Sequence, residues 1–175
     1  MTRLNIGSGY VMPAGWTNVD MLDYGGNLVA DLLKGLPFPD AHFDYIVSQH
    51  QIQMIRFDDL QRGLAELRRV LKVGGRLRIS VPDAELAVQR FLAGWDQFPI
   101  SEEIERTKSG RFLRYLLWHG DARSAFTFES LTDALNRAGL QNVRRCQFRQ
   151  TDGEYPEIVD LDSREGESLF VEAIR

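Results

Sequence analysis

Short apolar runs of four to six residues alternate along this chain with longer stretches of helical period. Arg3–Ile6 (RLNI), Thr17–Asp20 (TNVD), Leu28–Asp31 (LVAD) and Phe43–Ser48 (FDYIVS) each predict a strand, the last of them following the proline-bounded turn LPFPD. The period then changes. Leu60, Leu64, Leu67 and Leu71 recur at spacings of three and four, the signature of one helical face, and Gly74-Gly75 marks the expected stop. Arg76–Val81 (RLRISV) predicts a fifth strand, ended by Pro82. Helical patterns follow from Asp83 to about Gly94 and around Ile104–Trp118, the first capped by Asp83. A third helix has Thr127 at its cap, Leu131, Ala134, Leu135 and Ala138 on one face, and Gly139 just past its end. Gln141–Phe148 predicts a strand, 150–167 a polar loop, and Ser168–Ile174 (SLFVEAI) the last strand.

Strands that alternate with helices predict an α/β fold, doubly wound, with a mainly parallel sheet and helices on both faces. A chain of 175 residues is expected to form one domain over 1–175. In such sheets the ligand sits beyond the carboxyl ends of the strands, where strand order reverses.

Composition narrows the function. Lys plus Arg is 21 against 25 Asp plus Glu, a net charge of −4, so broad phosphate neutralisation is unexpected and no nucleic-acid partner is predicted. The Arg68-Arg69 and Arg144-Arg145-Arg149 groups read as solvated faces. Cys146 is the one cysteine, which rules out an internal disulfide and fits a reducing, cytoplasmic setting. The start MTRLNIGSGY is short and polar for a signal peptide, and no apolar run approaches the ~20 residues that span a bilayer, so no membrane insertion is expected.

The residues that end the first four strands are Gly7-Ser8-Gly9, Asp20, Asp31 and Ser48-Gln49-His50, and a parallel sheet brings them to one edge. Glycines without a Cβ let a ligand press against backbone. A carboxylate after the second strand can accept both hydroxyls of a ribose. An acid after the third can border an adenine, or can cap the turn that follows it. The dinucleotide fingerprint G-x-G-x-x-G fails at Met12, and no phosphate-binding G-x-x-x-x-G-K-[ST] exists. A ligand with adenine and ribose but no phosphate fits best, and S-adenosylmethionine is of that kind.

With LNIGSGY, WTNVD, ADLLKGLPFPDAHFDYIVSQH, LAELRRVLKVGGRLRISVPD and FTFESLTDALNRAGL in this order, the chain resembles the class I S-adenosylmethionine-dependent methyltransferases. Within them it is most similar to predicted bacterial enzymes linked to sugar or cell-envelope metabolism. The resemblance implies a Rossmann-like seven-stranded sheet with its last strand antiparallel, and S-adenosylmethionine as cofactor. It implies that Gly7, Ser8 and Gly9 line the methionine part, Asp20 binds the ribose diol, and Asp31 and Leu32 border the adenine. Asn5 and Met21 flank these positions and join the candidate cofactor residues. Ser48, Gln49 and His50 are placed near the transferred methyl, with His50 the candidate catalytic base. The acceptor is expected to be small or sugar-like, its pocket shaped by Gly94–Asp121.

This chain also departs from the resemblance. Only ten residues separate Gly9 from Asp20, too few for a helix, so YVMPAGWTN is expected to be a loop. The helices such enzymes carry before the first strand are expected to be missing, which leaves the site less covered and open to a homodimer with a neighbour as cover, though the sequence does not set the oligomeric state. After the fourth strand the look-alikes read His-x-x-Glu-His, whereas this chain reads HQIQM, with Gln53 and Met54 at the last two positions. Two alternatives therefore stand beside the enzyme: an S-adenosylmethionine-binding partner protein without turnover, and a binder of another adenosine ligand. His119 is expected to cap the helix before Gly120, and Trp118 and Tyr115 to pack a core.

Overall fold

The computed structural model describes residues 1–175. The strands are β1 (Arg3–Ile6), β2 (Thr17–Asp20), β3 (Leu28–Val29), β4 (Phe43–Gln49), β5 (Leu71–Pro82), β6 (Gln141–Cys146) and β7 (Ser168–Ile174). The α-helices are α1 (Phe57–Val70), α2 (Ala84–Leu92), α3 (Lys108–Leu116) and α4 (Phe128–Arg137). All seven strands join one sheet in the order β3-β2-β1-β4-β5-β7-β6. β1 pairs in parallel with both β2 and β4, at Asn5 with Asn18 and Val47, so strand order reverses at β1. Only β7 runs against its neighbours, pairing antiparallel with β5 and with β6. This is the predicted Rossmann-like sheet, with the last strand reversed.

The pleat sorts side chains between two unlike faces. Leu4, Ile6, Ile46, Leu77, Ile79, Val81, Leu169 and Val171 point to one face and form the main core with Leu60, Leu64 and Leu67 of α1 and Leu131 and Leu135 of α4. α1 forms because its leucines repeat at helical spacing and its charges suit the helix ends, with Asp58 and Asp59 in the first turn and Arg68 and Arg69 in the last. The other face carries Tyr45 and Val47, packed on Ile158 and flanked by Trp16, Tyr155, Val159 and Leu161. Helices were expected on both faces. Here the second cover is a loop with one 3₁₀ turn, Pro156–Val159, because the β1–β2 and β2–β3 connections are too short to carry helices.

That second face also buries charge. Arg78 is fully buried and pairs with Asp162 and Glu172, which are 0% and 1% exposed. Asp162 further accepts from the Arg149 N–H at 2.8 Å and from Gln49 Nε2 at 3.2 Å. The 147–163 segment is thus tied to β4 and β5 by ions and amides as well as by apolar contacts.

Gly74-Gly75 does not end α1. The helix stops at Val70 and the strand starts at Leu71, three residues before Gly74. The glycines serve the β4–β5 pairing instead, where the register shifts between Phe43 and Tyr45. A Cβ on Gly75 would stand 2.8 Å from the Lys72 carbonyl oxygen and 2.9 Å from that of Asp44, too close for any side chain. The predicted third strand, Leu28–Asp31, is cut to two residues, while β1, β2 and β7 keep their predicted bounds. Asp83 caps α2 by accepting from the Leu86 N–H at 3.0 Å, and Thr127 and Ser130 form a capping box on α4. No helix is long and apolar enough to cross a membrane.

Candidate active site

The carboxyl ends of β1, β2, β3 and β4 bring the predicted residues to one edge. Gly7 and Ser8 follow β1 and both donate backbone N–H to the Val19 carbonyl, at 2.8 and 3.1 Å. Gly9 donates its N–H to Asp20 Oδ2 at 2.9 Å, and Leu22 donates to Asp20 Oδ1 at 3.1 Å. The Asp20 carboxylate is therefore aimed by two backbone donors across the gap between β1 and β2, with acceptor capacity left over. A Cβ at Gly9 would meet nothing within 4 Å, so backbone there is open to a ligand. Ser8 Oγ is buried and has no partner. These three features fit the ribose and methionine ends of S-adenosylmethionine.

Other predicted residues are committed elsewhere. Asn5 is buried, and its amide donates to the Val11 carbonyl at 2.8 Å and to Asn18 Oδ1 at 3.1 Å. It pins the loop after the glycines, so any effect on a ligand passes through that loop. Asp31 accepts from the Leu33 N–H at 2.9 Å and lies 3.4 Å from Lys34 Nζ, the turn-capping arrangement. Leu32 points into the main core, which leaves only its backbone for an adenine. Met21 is exposed beside Asp20. Gln49 uses its amide on Asp162 and on Ser80 Oγ, the latter at 2.5 Å. Ser48 is fully buried, and its nearest polar partner is Gln51 Oε1 at 3.4 Å.

Gln51 is the residue that strand-end reasoning missed. A Cβ on Gly7 would lie 2.3 Å from Gln51 Cγ, so the space against Gly7 is filled by this side chain. The absence of a side chain at Gly7 thus admits Gln51 first, with the methionine part of the cofactor assigned to the same ground. Only the fold brings Gln51, two residues beyond β4, against Gly7 at the end of β1.

His50 ends the constellation in an unusual environment. Its φ is +48°, a conformation that a residue with a Cβ adopts at a cost of order 1–3 kcal/mol and that gathers at functional sites. Two backbone bonds hold it: its N–H to the Ser80 carbonyl at 2.9 Å, and its carbonyl to Gln53 Nε2 at 2.7 Å. Gln53 is fully buried, so the residue at the look-alikes' acidic position fixes the backbone of His50. The imidazole Nε2 lies 2.7 Å from Ser168 Oγ, while Nδ1 is buried without a partner. Burial, helped by the Arg164 cation, pushes the imidazole down from 6.5 to about 4, so it is neutral at physiological pH.

Trp118 lies between His50, at 5.6 Å between ring centroids, and the Arg164 guanidinium, 4.4 Å from the ring. It is half-buried in this stack rather than in a core; Tyr115 does pack a small core with Ala87, Phe98 and Ile100. His119 does not cap α3, which ends at Leu116. It sits in the next 3₁₀ turn at φ +59°. Beside the stack is a cavity of about 380 Å³ lined by Pro99, Tyr115, Trp118, His119, Arg164 and Glu167. Four of these six residues come from the stretch expected to shape the acceptor pocket. A larger cleft of about 710 Å³ opens between the starts of α2 and α4 and contains none of the strand-end residues.

The strand order, with its reversal at β1 and its single antiparallel strand, is the fold of the class I S-adenosylmethionine-dependent methyltransferases. Residues 14–79 match the family model described as a methyltransferase domain, a span that holds Asp20, Asp31 and Ser48–His50 and starts after the glycine loop. The chain is similar to a methyltransferase of Thermotoga maritima described as a possible histamine N-methyltransferase, at 21% identity and TM-score 0.61, covering 99% of this chain and 81% of that one. It is similar to a SAM-dependent methyltransferase from Archaeoglobus fulgidus, at 14% identity and TM-score 0.64, covering 99% and 86%. Phosphoethanolamine N-methyltransferase 2 of Haemonchus contortus, solved with S-adenosyl-L-methionine, matches at 14% identity and TM-score 0.57 over 100% of this chain and 48% of that one. No curated protein matches the sequence. The chain thus shares the fold of these methyltransferases and matches the methyltransferase-domain model over residues 14–79.

Proposed function

We propose that the protein is an S-adenosylmethionine-dependent methyltransferase acting on a small or sugar-like acceptor. The observation that carries this reading is Asp20, held by the Gly9 and Leu22 N–H groups at the carboxyl end of β2 beside the open backbone of Gly9. Asp20 would accept from the ribose hydroxyls, Gly9 and Ser8 would lie along the methionine part, and the Leu32 backbone with Asp31 would border the adenine. When bound, S-adenosylmethionine supplies a methyl group on a sulfonium, a leaving group already activated. The protein then has to hold the acceptor at near-attack distance, exclude water and receive the acceptor's proton. His50 would take that last task, and the cavity beside Trp118, which packs against the His50 ring, would hold the acceptor.

A second reading, binding without turnover, is favoured by HQIQM at 50–54, where Gln53 and Met54 leave neither an acid nor a second histidine after His50. Methyl transfer from isotope-labelled S-adenosylmethionine to panels of sugars, amines and hydroxyl compounds tests the two. Labelled product that disappears in His50→Gln supports the enzyme. Tight cofactor binding with no labelled product in any panel overturns it in favour of the second reading.

A further inference from the structure

Ser168, the first residue of β7, stands between His50 and a backbone carbonyl. Its Oγ is 2.7 Å from His50 Nε2 and 2.8 Å from the Arg164 carbonyl oxygen, with the Ser163 carbonyl at 3.5 Å. A hydroxyl has one proton, and a carbonyl can only accept. The serine proton therefore goes to the Arg164 carbonyl, which leaves the serine oxygen as acceptor towards the ring. Nε2 must then carry the hydrogen and donate it. In a neutral imidazole this leaves Nδ1 as a bare lone pair.

That lone pair is buried and has no partner in the protein. Leaving a buried acceptor unpaired is costly, and such a group in a native fold calls for an explanation. The backbone of His50 at φ +48° adds strain at the same residue. Burial of the ring keeps it neutral, so Nδ1 stays free to accept. The Trp118 indole packs against both the His50 ring and the Arg164 guanidinium, and three successive positive φ values at Trp118, His119 and Gly120 mark the turn that carries it.

We propose that Ser168 is a positioning residue that locks His50 in the Nε2–H tautomer, so that Nδ1 receives the proton of the methyl acceptor. The inference rests on the methyltransferase reading above and gives it a substrate class. The acceptor's reacting atom must bear a hydrogen, as in a hydroxyl or a primary or secondary amine; a tertiary amine or a thioether offers nothing to Nδ1. In the proton step, the Nδ1 lone pair forms the new N–H bond while the acceptor atom keeps the electron pair of its own bond to hydrogen. The imidazolium retains its Nε2–H bond to Ser168 and later releases the Nδ1 proton to water.

The test is nitrogen NMR of the full chain labelled at its three histidines, His42, His50 and His119, with His50→Gln used to assign the His50 signals. At pH 7 the wild type is expected to show His50 with a protonated Nε2 and a bare Nδ1. Ser168→Ala should lose this single tautomer and Ser168→Thr, which keeps the hydroxyl, should retain it. A wild-type His50 protonated at Nδ1, or a tautomer unchanged in Ser168→Ala, overturns the proposal. Cofactor affinity measured by calorimetry on the same variants separates the two levels of the argument. Ser168→Ala should bind S-adenosylmethionine as the wild type does while kcat falls at least ten-fold and KM for the cofactor holds. A wild type that binds no S-adenosylmethionine removes the methyltransferase reading and the role given to Nδ1, whatever the tautomer.

Discussion

Replacing Asp162 by alanine removes the hub of the buried ionic cluster. Arg78 Nε, at 2.7 Å, and its Nη2 lose their carboxylate, and the Arg149 N–H and the Gln49 amide lose an acceptor. Arg78 is fully buried and keeps only Glu172, at 2.7 Å, with the carbonyls of Gln147 and Gln150. Breaking a buried ion pair from one side costs about 3–5 kcal/mol, because the remaining charge stays out of water. That is a large share of the roughly 5–15 kcal/mol that holds a domain together. With a urea slope of about 2 kcal/mol per molar, the unfolding midpoint should fall by about 1.5–2.5 M. Equilibrium urea unfolding at neutral pH, followed by circular dichroism, measures it. The double variant Arg78→Met with Asp162→Leu should recover most of the loss, since Glu172 keeps Arg76 and Arg144 as partners. A midpoint shift below about 0.5 M in Asp162→Ala, or no recovery in the double variant, would refute the idea that buried charge ties the 147–163 segment to the sheet.

Gly7→Ala should destabilise on two counts. Its φ of +72° costs a side chain about 1–2 kcal/mol, and the new Cβ would overlap Gln51 Cγ at 2.3 Å. Gly7→Ala with Gln51→Gly should regain only the overlap part in thermal melts, and equal losses in the single and double variants would contradict the close approach. His50 makes stability depend on pH. Between its folded value of about 4 and its ordinary 6.5 the unfolded chain binds the extra proton, so stability should decline as pH falls from 6.5 to 4 and show no further loss from this group below that. A shift of this size is worth up to about 3 kcal/mol. The wild type minus His50→Gln difference in urea midpoint isolates it, and a flat difference across that window would contradict the buried neutral ring.

The chain's periodicities carried most of the architecture. β1, β2 and β7 lie where alternation places them, because each turns apolar side chains into the one main core. The strand-end residues of β1 to β4 do meet at one edge, since that follows from parallel order alone. Features that depend on long-range contact were not legible. Nothing local marks Gly75 as a site of close backbone approach, or Gln51 as the side chain that returns over Gly7. Nor does anything local mark Arg78, Asp162 and Glu172 as a buried cluster, which forms only where the polar 150–167 stretch covers the second face of the sheet. Ser168 is 118 residues from His50 and gives no sequence signal of their hydrogen bond.

The central claim is that Asp20 and the glycine loop hold S-adenosylmethionine. Calorimetric titration with S-adenosylmethionine and with its demethylated product, on the wild type and on Asp20→Ala, tests it most directly. Losing a charged acceptor for the ribose hydroxyls should cost about 1.5–3 kcal/mol, a ten-fold or greater fall in affinity. Binding by the wild type that weakens at least ten-fold in Asp20→Ala is the predicted result. No binding by the wild type, or equal affinity in the variant, would contradict the account.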